Sequence, residues 1–233
     1  MDLSQASQFK KDLKISIDKI VREEAEMIFL NELAQDDLSL KIAFYGGTAL
    51  RLVYDSPRFS EDIDLLELKK INFNEFEKFI KGLAKRQNWT LADIKNKRQT
   101  IFALLKIKDD NLKHPFSLKI EIHKPDGEKS LPAKLALIKS PVSILSPLLL
   151  TATLEELKKL KESAIADRKK ARDIFDLWYI SQALRVNFTL PASTPKFKER
   201  EFTNELKVFL PPKYYPIIKQ LYEQIAKNNK KPA

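Results

Sequence analysis

The chain has 233 residues, of which 43% are hydrophobic and 32% are charged, and its formal net charge is +10. It contains no cysteine, which excludes disulfide bonds and cysteine-based zinc sites. The hydrophobic fraction is ordinary for a globular protein, and the basic excess favours a polyanionic partner such as nucleic acid unless it only reflects a lysine-rich proteome.

The N-terminal residues and the apolar stretches predict a cytoplasmic protein with no membrane partner. The first five residues lack the basic and apolar pattern of a signal peptide. The longest apolar-rich stretch, Pro141 to Leu154, is interrupted by Pro147 and is too short to span a bilayer.

Apolar periodicity changes from mixed to helical near residue 150, which predicts a core at residues 1–150 and a helical lobe at residues 151–233. Helices are predicted at residues 7–35, 48–54, 73–87, 154–166, 170–184 and 214–226. Strands are predicted at residues 40–45, 63–68, 101–108, 116–123 and 143–150. The third and fourth strands are expected to form a hairpin, Thr48 to cap the second helix, and residues 185–204 to be a loop.

The most informative motif is a Gly46-Gly47 turn followed by an acidic strand that carries Asp62 and Asp64. Alternate side chains of a strand share a face, so the two carboxylates point the same way. Carboxylate oxygens are the ligands that Mg²⁺ ions take. Glycines let the backbone approach a phosphate, and the helix N-terminus behind them favours negative charge. The motif predicts a metal-dependent site for nucleotide chemistry.

A third carboxylate, Glu121, is a candidate metal ligand from another strand. Lys119, Glu121 and His123 alternate with apolar residues and therefore share the polar face of that strand. In this position Glu121 can converge with the aspartate pair and help to activate an acceptor hydroxyl. The alternative is a surface glutamate paired with Lys119. No mechanism is based on His123, because single histidines are commonly structural or exposed.

The helical lobe carries a second group of candidates. Lys161 is suited to reach a triphosphate and offset the charge on a leaving group, unless it belongs to a solvated basic face. Asp173 and Asp176 are three residues apart and share one side of a helix. Asp176 either orients Lys161 or contacts the nucleotide, and its simplest alternative is an (i, i+4) pair with Arg172. Arg58, ahead of the acidic strand, either touches phosphate or fixes the turn.

Taken in order, these blocks resemble the nucleotidyltransferase family that includes the AbiEii/AbiGii-type toxins. The resemblance rests on Gly46-Gly47-Thr48-Ala49-Leu50, on Arg58-Phe59-Ser60-Glu61-Asp62-Ile63-Asp64-Leu65, and on Lys161 through Asp167-Arg168 to Arg172-Asp173-Ile174-Phe175-Asp176-Leu177. The three blocks lie between residues 40 and 180, so the last fifty residues contribute nothing to it.

The resemblance implies an α+β fold, with a DNA polymerase β-like core of mixed sheet and flanking helices and a helical C-terminal lobe that completes the nucleotide and acceptor site. It implies Mg²⁺ as cofactor and an NTP as substrate, and a two-ion site is expected. The residues predicted for catalysis are Asp62, Asp64, Glu121, Lys161 and Asp176, of which the first three are the metal ligands. The residues predicted to bind the nucleotide are Gly46, Gly47, Thr48, Ser60, Lys161 and Asp173.

Members of this family are toxins of type IV toxin–antitoxin and phage-defence systems, and several transfer a nucleotide to RNA, including tRNA acceptor ends. We therefore expect a Mg²⁺-dependent toxin that modifies RNA, with tRNA as the favoured acceptor and a cognate antitoxin as a further partner. Three alternatives remain open. They are transfer to a protein hydroxyl, kinase-like transfer of the γ-phosphate, and a non-catalytic module that binds RNA or an antitoxin.

Overall fold

The computed structural model describes residues 2–125 and 132–228. These residues divide into two compact units. The first unit extends to Asp55 and continues from Ser60 to Ala152, and the second combines Ser56–Phe59 with the chain from Thr153 onward. Each unit has a hydrophobic core of its own. No helix within the described ranges is long and apolar enough to cross a membrane.

The first unit consists of a mixed seven-stranded sheet and flanking helices. Its strands are β1 (Ile42–Tyr45), β2 (Asp62–Glu67), β3 (Thr90–Asn96), β4 (Thr100–Ile107), β5 (Phe116–His123), β6 (Ala133–Leu137) and β7 (Leu148–Ala152). Its helices are α1 (Leu3–Leu13), α2 (Ile17–Ala34), α3 (Gly46–Tyr54) and α4 (Phe73–Arg86). Apolar side chains of α2 and α4 pack with those of the strands in one core, in which Phe29 meets Phe79 edge to face. The predicted fold class is confirmed.

Strand order places the acidic strand in the middle of the sheet. The order is β3-β4-β5-β2-β1-β7-β6. β2 is parallel to β5 and antiparallel to β1, and β1 is in turn parallel to β7. The predicted hairpin of β4 and β5 is confirmed, because these strands pair antiparallel along their whole lengths. β2 therefore lies between β5 and β1, and its side chains have neighbours on both of these strands.

The single helix predicted over residues 7–35 is wrong. Lys14 takes a left-handed backbone conformation, with φ at 53°, and ends α1. Ser16 is extended and precedes α2. A left-handed residue at this position terminates a helix, because the next residues can no longer continue the hydrogen-bond ladder. The apolar periodicity from Ile17 onward therefore belongs to α2 alone.

The strands that sequence reasoning missed are the two edges of the sheet. β3 and β6 are mostly exposed, and Leu135 and Leu137 of β6 keep about half of their surface in contact with solvent. An edge strand buries little apolar surface, so its alternation pattern is weak. The strand predicted at residues 143–150 is shifted toward the C-terminus in the structure, where β7 begins only after Pro147 and ends at Ala152.

The second unit is helical. Its helices are α5 (Leu154–Asp167), α6 (Ala171–Ala183), α7 (Glu199–Phe209) and α8 (Tyr215–Asn228). The helices predicted over residues 154–166, 170–184 and 214–226 are confirmed to within two residues at each end. The loop predicted for residues 185–204 is wrong from Glu199 onward, since α7 buries Phe202, Leu206 and Phe209 on one face.

One carboxyl group of the first unit is buried without full hydrogen bonding. Glu26 on α2 is 2% exposed, and among the described residues its Oε1 atom has no hydrogen-bond partner. Burial raises its pKa well above the usual value, and the neighbouring Glu23 and Asp62 add to this, against a smaller opposing effect of Arg22 and Arg51. Burial therefore favours the protonated form of Glu26 in the folded protein.

We expect Glu26→Gln to stabilise the protein by about 1–3 kcal/mol at pH 8, and by much less at pH 5. A raised pKa in the folded state means that unfolding releases a proton, so the stability of the wild type falls as pH rises above the unfolded value of 4.5. Glutamine does not titrate and escapes this loss. Thermal melts at the two pH values test the prediction, with the exposed Glu75→Gln as control; an equal shift at both would contradict it.

Candidate active site

The Gly-Gly turn lies where β1 meets α3. Gly46 has φ at +83°, a conformation that glycine adopts without strain, and it is the first residue of α3. A Cβ atom at Gly46 would collide with the carboxylate of Asp64. The absence of a side chain at Gly46 therefore lets Asp64 approach the N-terminus of α3, where the helix dipole favours negative charge.

Gly47 and Thr48 lie in the first turn of α3, and both are buried. The prediction that Thr48 caps this helix is wrong, since the cap position is Tyr45. The hydroxyl of Thr48 instead donates a hydrogen bond to the carbonyl oxygen of Asp62. This bond fixes the first residue of β2 against α3. Ser60, two residues earlier, is half-buried.

Asp62 and Asp64 share one face of β2, while Ile63 between them is fully buried on the other. The parallel register with β5 places Asp62 opposite Lys119 and Asp64 opposite Glu121. Glu121 is thus brought beside the aspartate pair, as the alternation on β5 predicted. The surface-glutamate alternative also has a basis, because Lys119 contacts Glu121.

Lys119 binds two of the three carboxylates at once. Its Nζ atom lies 3.1 Å from Asp62 Oδ2 and 2.9 Å from Glu121 Oε2, and all three side chains are between a quarter and a third exposed. Burial by itself lowers the pKa of Lys119, but the hydrogen bonds and charges of Glu121 and Asp62 outweigh burial and raise it. Lys119 is therefore a firmly charged cation inside the acidic cluster.

His123 belongs to the same cluster, although sequence reasoning gave it no role. One ligand atom each from Asp64, Glu121 and His123 lie within 4.8 Å of one another. The imidazole ring meets Tyr45 edge to face, with ring centroids 5.9 Å apart. Its position followed from the alternation of β5, which placed Lys119, Glu121 and His123 on one face.

These residues fit the divalent cation that the sequence predicts. Carboxylate oxygens with an imidazole nitrogen are donors for Mn²⁺ and related cations, and carboxylates alone suffice for Mg²⁺. The donor atoms of Asp64, Glu121 and His123 are close enough to be ligands of a single ion. The bare Gly46 lets Asp64 take this position.

In the second unit, Lys161, Asp173 and Asp176 form a buried charge cluster. Lys161 Nζ lies 2.9 Å from Asp173 Oδ1 and 2.7 Å from Asp176 Oδ2. Both aspartates are fully buried, and Lys161 is only 8% exposed. A solvated basic face therefore does not describe Lys161. Arg168 completes the cluster by donating two hydrogen bonds to Asp173.

Arg58 joins this cluster from the Ser56–Phe59 segment. Its Nε and Nη2 atoms donate to the two oxygens of Asp176 at 2.6 and 2.8 Å, and Nη1 donates to the carbonyl oxygen of Phe59. The guanidinium is 2% exposed. Asp176 is thus a partner of Arg58 and Lys161, whereas Arg172 lies over the ring of Phe209.

Two members of the cluster, Asp173 and Arg58, keep their charges when buried. Burial raises the pKa of Asp173, but Lys161 and Arg168 outweigh burial and lower it to about 2. Burial lowers the pKa of Arg58, and Asp176 more than reverses the effect. Asp173 and Arg58 therefore stay charged, and the ion pairs of the cluster join α5, α6 and the Ser56–Phe59 segment.

Comparison with known proteins identifies the family. The family model for the nucleotidyl transferase AbiEii toxin of type IV toxin–antitoxin systems matches residues 28–231. The chain belongs to this family. It is therefore a nucleotidyltransferase of the AbiEii toxin class, and the family resemblance inferred from the Gly-Gly and Asp-x-Asp motifs is confirmed. A type IV toxin implies a cognate antitoxin.

Solved structures share the fold of this AbiEii family member. MenT4, a nucleotidyltransferase toxin of Mycobacterium tuberculosis, is 15% identical with a TM-score of 0.62, covering 100% of this chain and 91% of that one. JHP933 of Helicobacter pylori is 20% identical with a TM-score of 0.56, covering 92% and 96%. A putative nucleotidyltransferase of H. pylori is 19% identical with a TM-score of 0.56, covering 91% and 98%. No curated protein matches the chain in sequence.

Proposed function

We propose that this toxin transfers a nucleotidyl group from an NTP to a hydroxyl of RNA in a reaction that depends on a divalent cation. The observation that carries the proposal is the convergence of Asp64, Glu121 and His123, with Asp62 on the same face, at the N-terminus of α3. Carboxylates grouped in this way suit metal-assisted phosphoryl chemistry.

Asp62, Asp64 and Glu121 are the proposed metal ligands. When bound, the cation neutralises phosphate charge and lowers the pKa of the acceptor hydroxyl. The acceptor oxygen then attacks the α-phosphorus, the bond from that phosphorus to the bridging oxygen breaks, and pyrophosphate leaves with the electron pair. Glu121 is proposed to take the hydroxyl proton.

Gly46 and Gly47 are proposed to receive the triphosphate, because the amide groups of a helix N-terminus attract phosphate oxygens. Thr48 supports this turn through its bond to Asp62. Contacts of Ser60 and Thr48 with the nucleotide stay predictions.

The helical unit supplies the remaining proposed roles. Lys161 is proposed to offset charge on the departing pyrophosphate, with Asp173 and Asp176 holding its ammonium group in place. Of the two roles considered for Asp176, orientation of Lys161 has the better support, because both of its oxygens bind cations of its own unit. The division of labour between residues 1–150 and 151–233 stays a prediction.

RNA is the proposed acceptor, and tRNA is the favoured one. The chain carries a net charge of +10, which suits binding to RNA phosphates. Several members of the family that its motifs resemble also modify RNA. NTP and tRNA are both cytoplasmic substrates, so the proposal places the reaction in the cytoplasm.

Incubation with total tRNA, Mg²⁺ and each of four α-³²P-labelled NTPs tests the acceptor. Label is expected in tRNA with one preferred nucleotide, and it should disappear when EDTA removes the metal. Label on protein that survives nuclease treatment would favour a protein acceptor. Absence of label from every acceptor, with folded protein, would leave only a binding function.

A further inference from the structure

Lys119 fills the space between two of the three proposed metal ligands. Its ammonium group is within ion-pair distance of Asp62 and Glu121, at 3.1 and 2.9 Å. A second divalent cation shared by Asp62 and Glu121 needs the same carboxylate oxygens. The ammonium group of Lys119 therefore competes with a second divalent cation for the carboxylates of Asp62 and Glu121.

A second group of donor atoms lies one step along the strands and shares Glu121 with the first. Asp64 stands opposite Glu121 in the β2–β5 register, and His123 follows on the same face of β5. Their ligand atoms lie within 4.8 Å of one another. This group combines two carboxylates with an imidazole, a donor set that favours Mn²⁺ and similar ions more than an all-oxygen site does.

We propose that the nucleotide-free protein holds one divalent cation on Asp64, Glu121 and His123, and that Lys119 excludes a second cation from between Asp62 and Glu121. The inference rests on the proposed function, because it concerns the metal of that reaction. A second cation then enters only together with the triphosphate, whose oxygens supply additional ligands for the ion and an alternative anionic partner for Lys119.

Binding of Mn²⁺ without nucleotide, followed by the EPR signal of the free ion, tests this inference directly. Wild type is expected to bind one Mn²⁺ per chain. Lys119→Met and Lys119→Gln are each expected to bind two, because the competing charge is gone, and Lys119→Arg to bind one. His123→Ala should weaken the first site by about tenfold or more.

Lys106→Met is the matched control. Lys106 is exposed on β4, and its register partner Ser117 lies two residues from Lys119 on the same face of β5. It should bind one Mn²⁺ like wild type, which separates competition at the site from a general loss of positive charge. Circular dichroism verifies that each variant is folded.

Two Mn²⁺ ions on the wild type, or one on both neutral Lys119 variants, would overturn the exclusion by Lys119. Unchanged affinity in His123→Ala would overturn the proposed ligand set. Failure of the inference and failure of the proposed function are distinguishable. Two bound Mn²⁺ ions with normal transfer to RNA would refute only the inference, whereas the expected binding without any nucleotidyl transfer would refute only the function.

Discussion

Replacing Asp64 with asparagine is expected to lower nucleotidyl transfer by about 10³-fold or more without unfolding the protein. Asparagine is nearly the same size as aspartate, so it fits the space beside Gly46. It removes a negative charge from the group that Asp64 forms with Glu121 and His123. The cation that stabilises charge in the transition state is then bound weakly or in the wrong place.

Asp93→Asn is the matched control for this variant. Asp93 lies on the edge strand β3 of the same sheet and pairs with Lys95. It should keep transfer within about twofold of wild type, since exposed ion pairs contribute little. Initial rates of α-label incorporation and thermal melts of both variants give the comparison. Full activity in folded Asp64→Asn would show that the metal site has been assigned to the wrong residues.

Replacing Asp176 with alanine is expected to lower the free energy of unfolding of the second unit by about 3–5 kcal/mol. The carboxylate binds both Arg58 and Lys161, and it is fully buried together with the guanidinium of Arg58. Its loss leaves the buried guanidinium without its carboxylate. The free-energy cost of a buried charge without a partner is far larger than the stabilisation that an ion pair on the surface provides.

Urea unfolding followed by Trp178 fluorescence measures this effect in the second unit. Trp178 packs against Phe175 on α6, and a Trp89→Phe background removes the signal of the first unit, since the chain has two tryptophans. Glu201→Ala is the control, because Glu201 forms an exposed pair with Lys169 in the same unit. It should change the free energy of unfolding by about 0.5 kcal/mol or less.

The double variant Arg58→Met/Asp176→Leu distinguishes a buried pair from a general packing defect. Replacing both partners by apolar residues of similar volume should recover most of the lost stability. A loss below about 1 kcal/mol in Asp176→Ala would contradict the structural role of the cluster. If transfer were then also reduced, direct contact of Asp176 with the nucleotide would become the better interpretation.

The centre of the sheet was predictable because its strands follow simple alternation. On β5, Leu118, Ile120 and Ile122 are buried, and the residues between them lie on the opposite, more exposed face, as the alternation indicated. Neither the parallel pairing of β2 with β5 nor its register has a local signal. The contact of Lys119 with Asp62 therefore emerges only from the structure.

Other features depend on tertiary contacts that no short pattern encodes. Arg58 and Asp176 are 118 residues apart in sequence, and only the fold makes them partners. The (i, i+4) spacing suggested Arg172 instead. The break between α1 and α2 depends on one left-handed lysine, a residue type that gives no warning of that conformation. The loop prediction for residues 185–204 missed the start of α7, although Phe202, Leu206 and Phe209 recur at helical spacing.

The most direct test of the central claim compares α- and γ-labelled NTP in parallel reactions with tRNA, with and without EDTA. The account predicts that tRNA acquires label from the α-position only, and only when divalent metal is present. Label from the γ-position, or label from the α-position that persists in EDTA, would contradict metal-dependent nucleotidyl transfer by this protein.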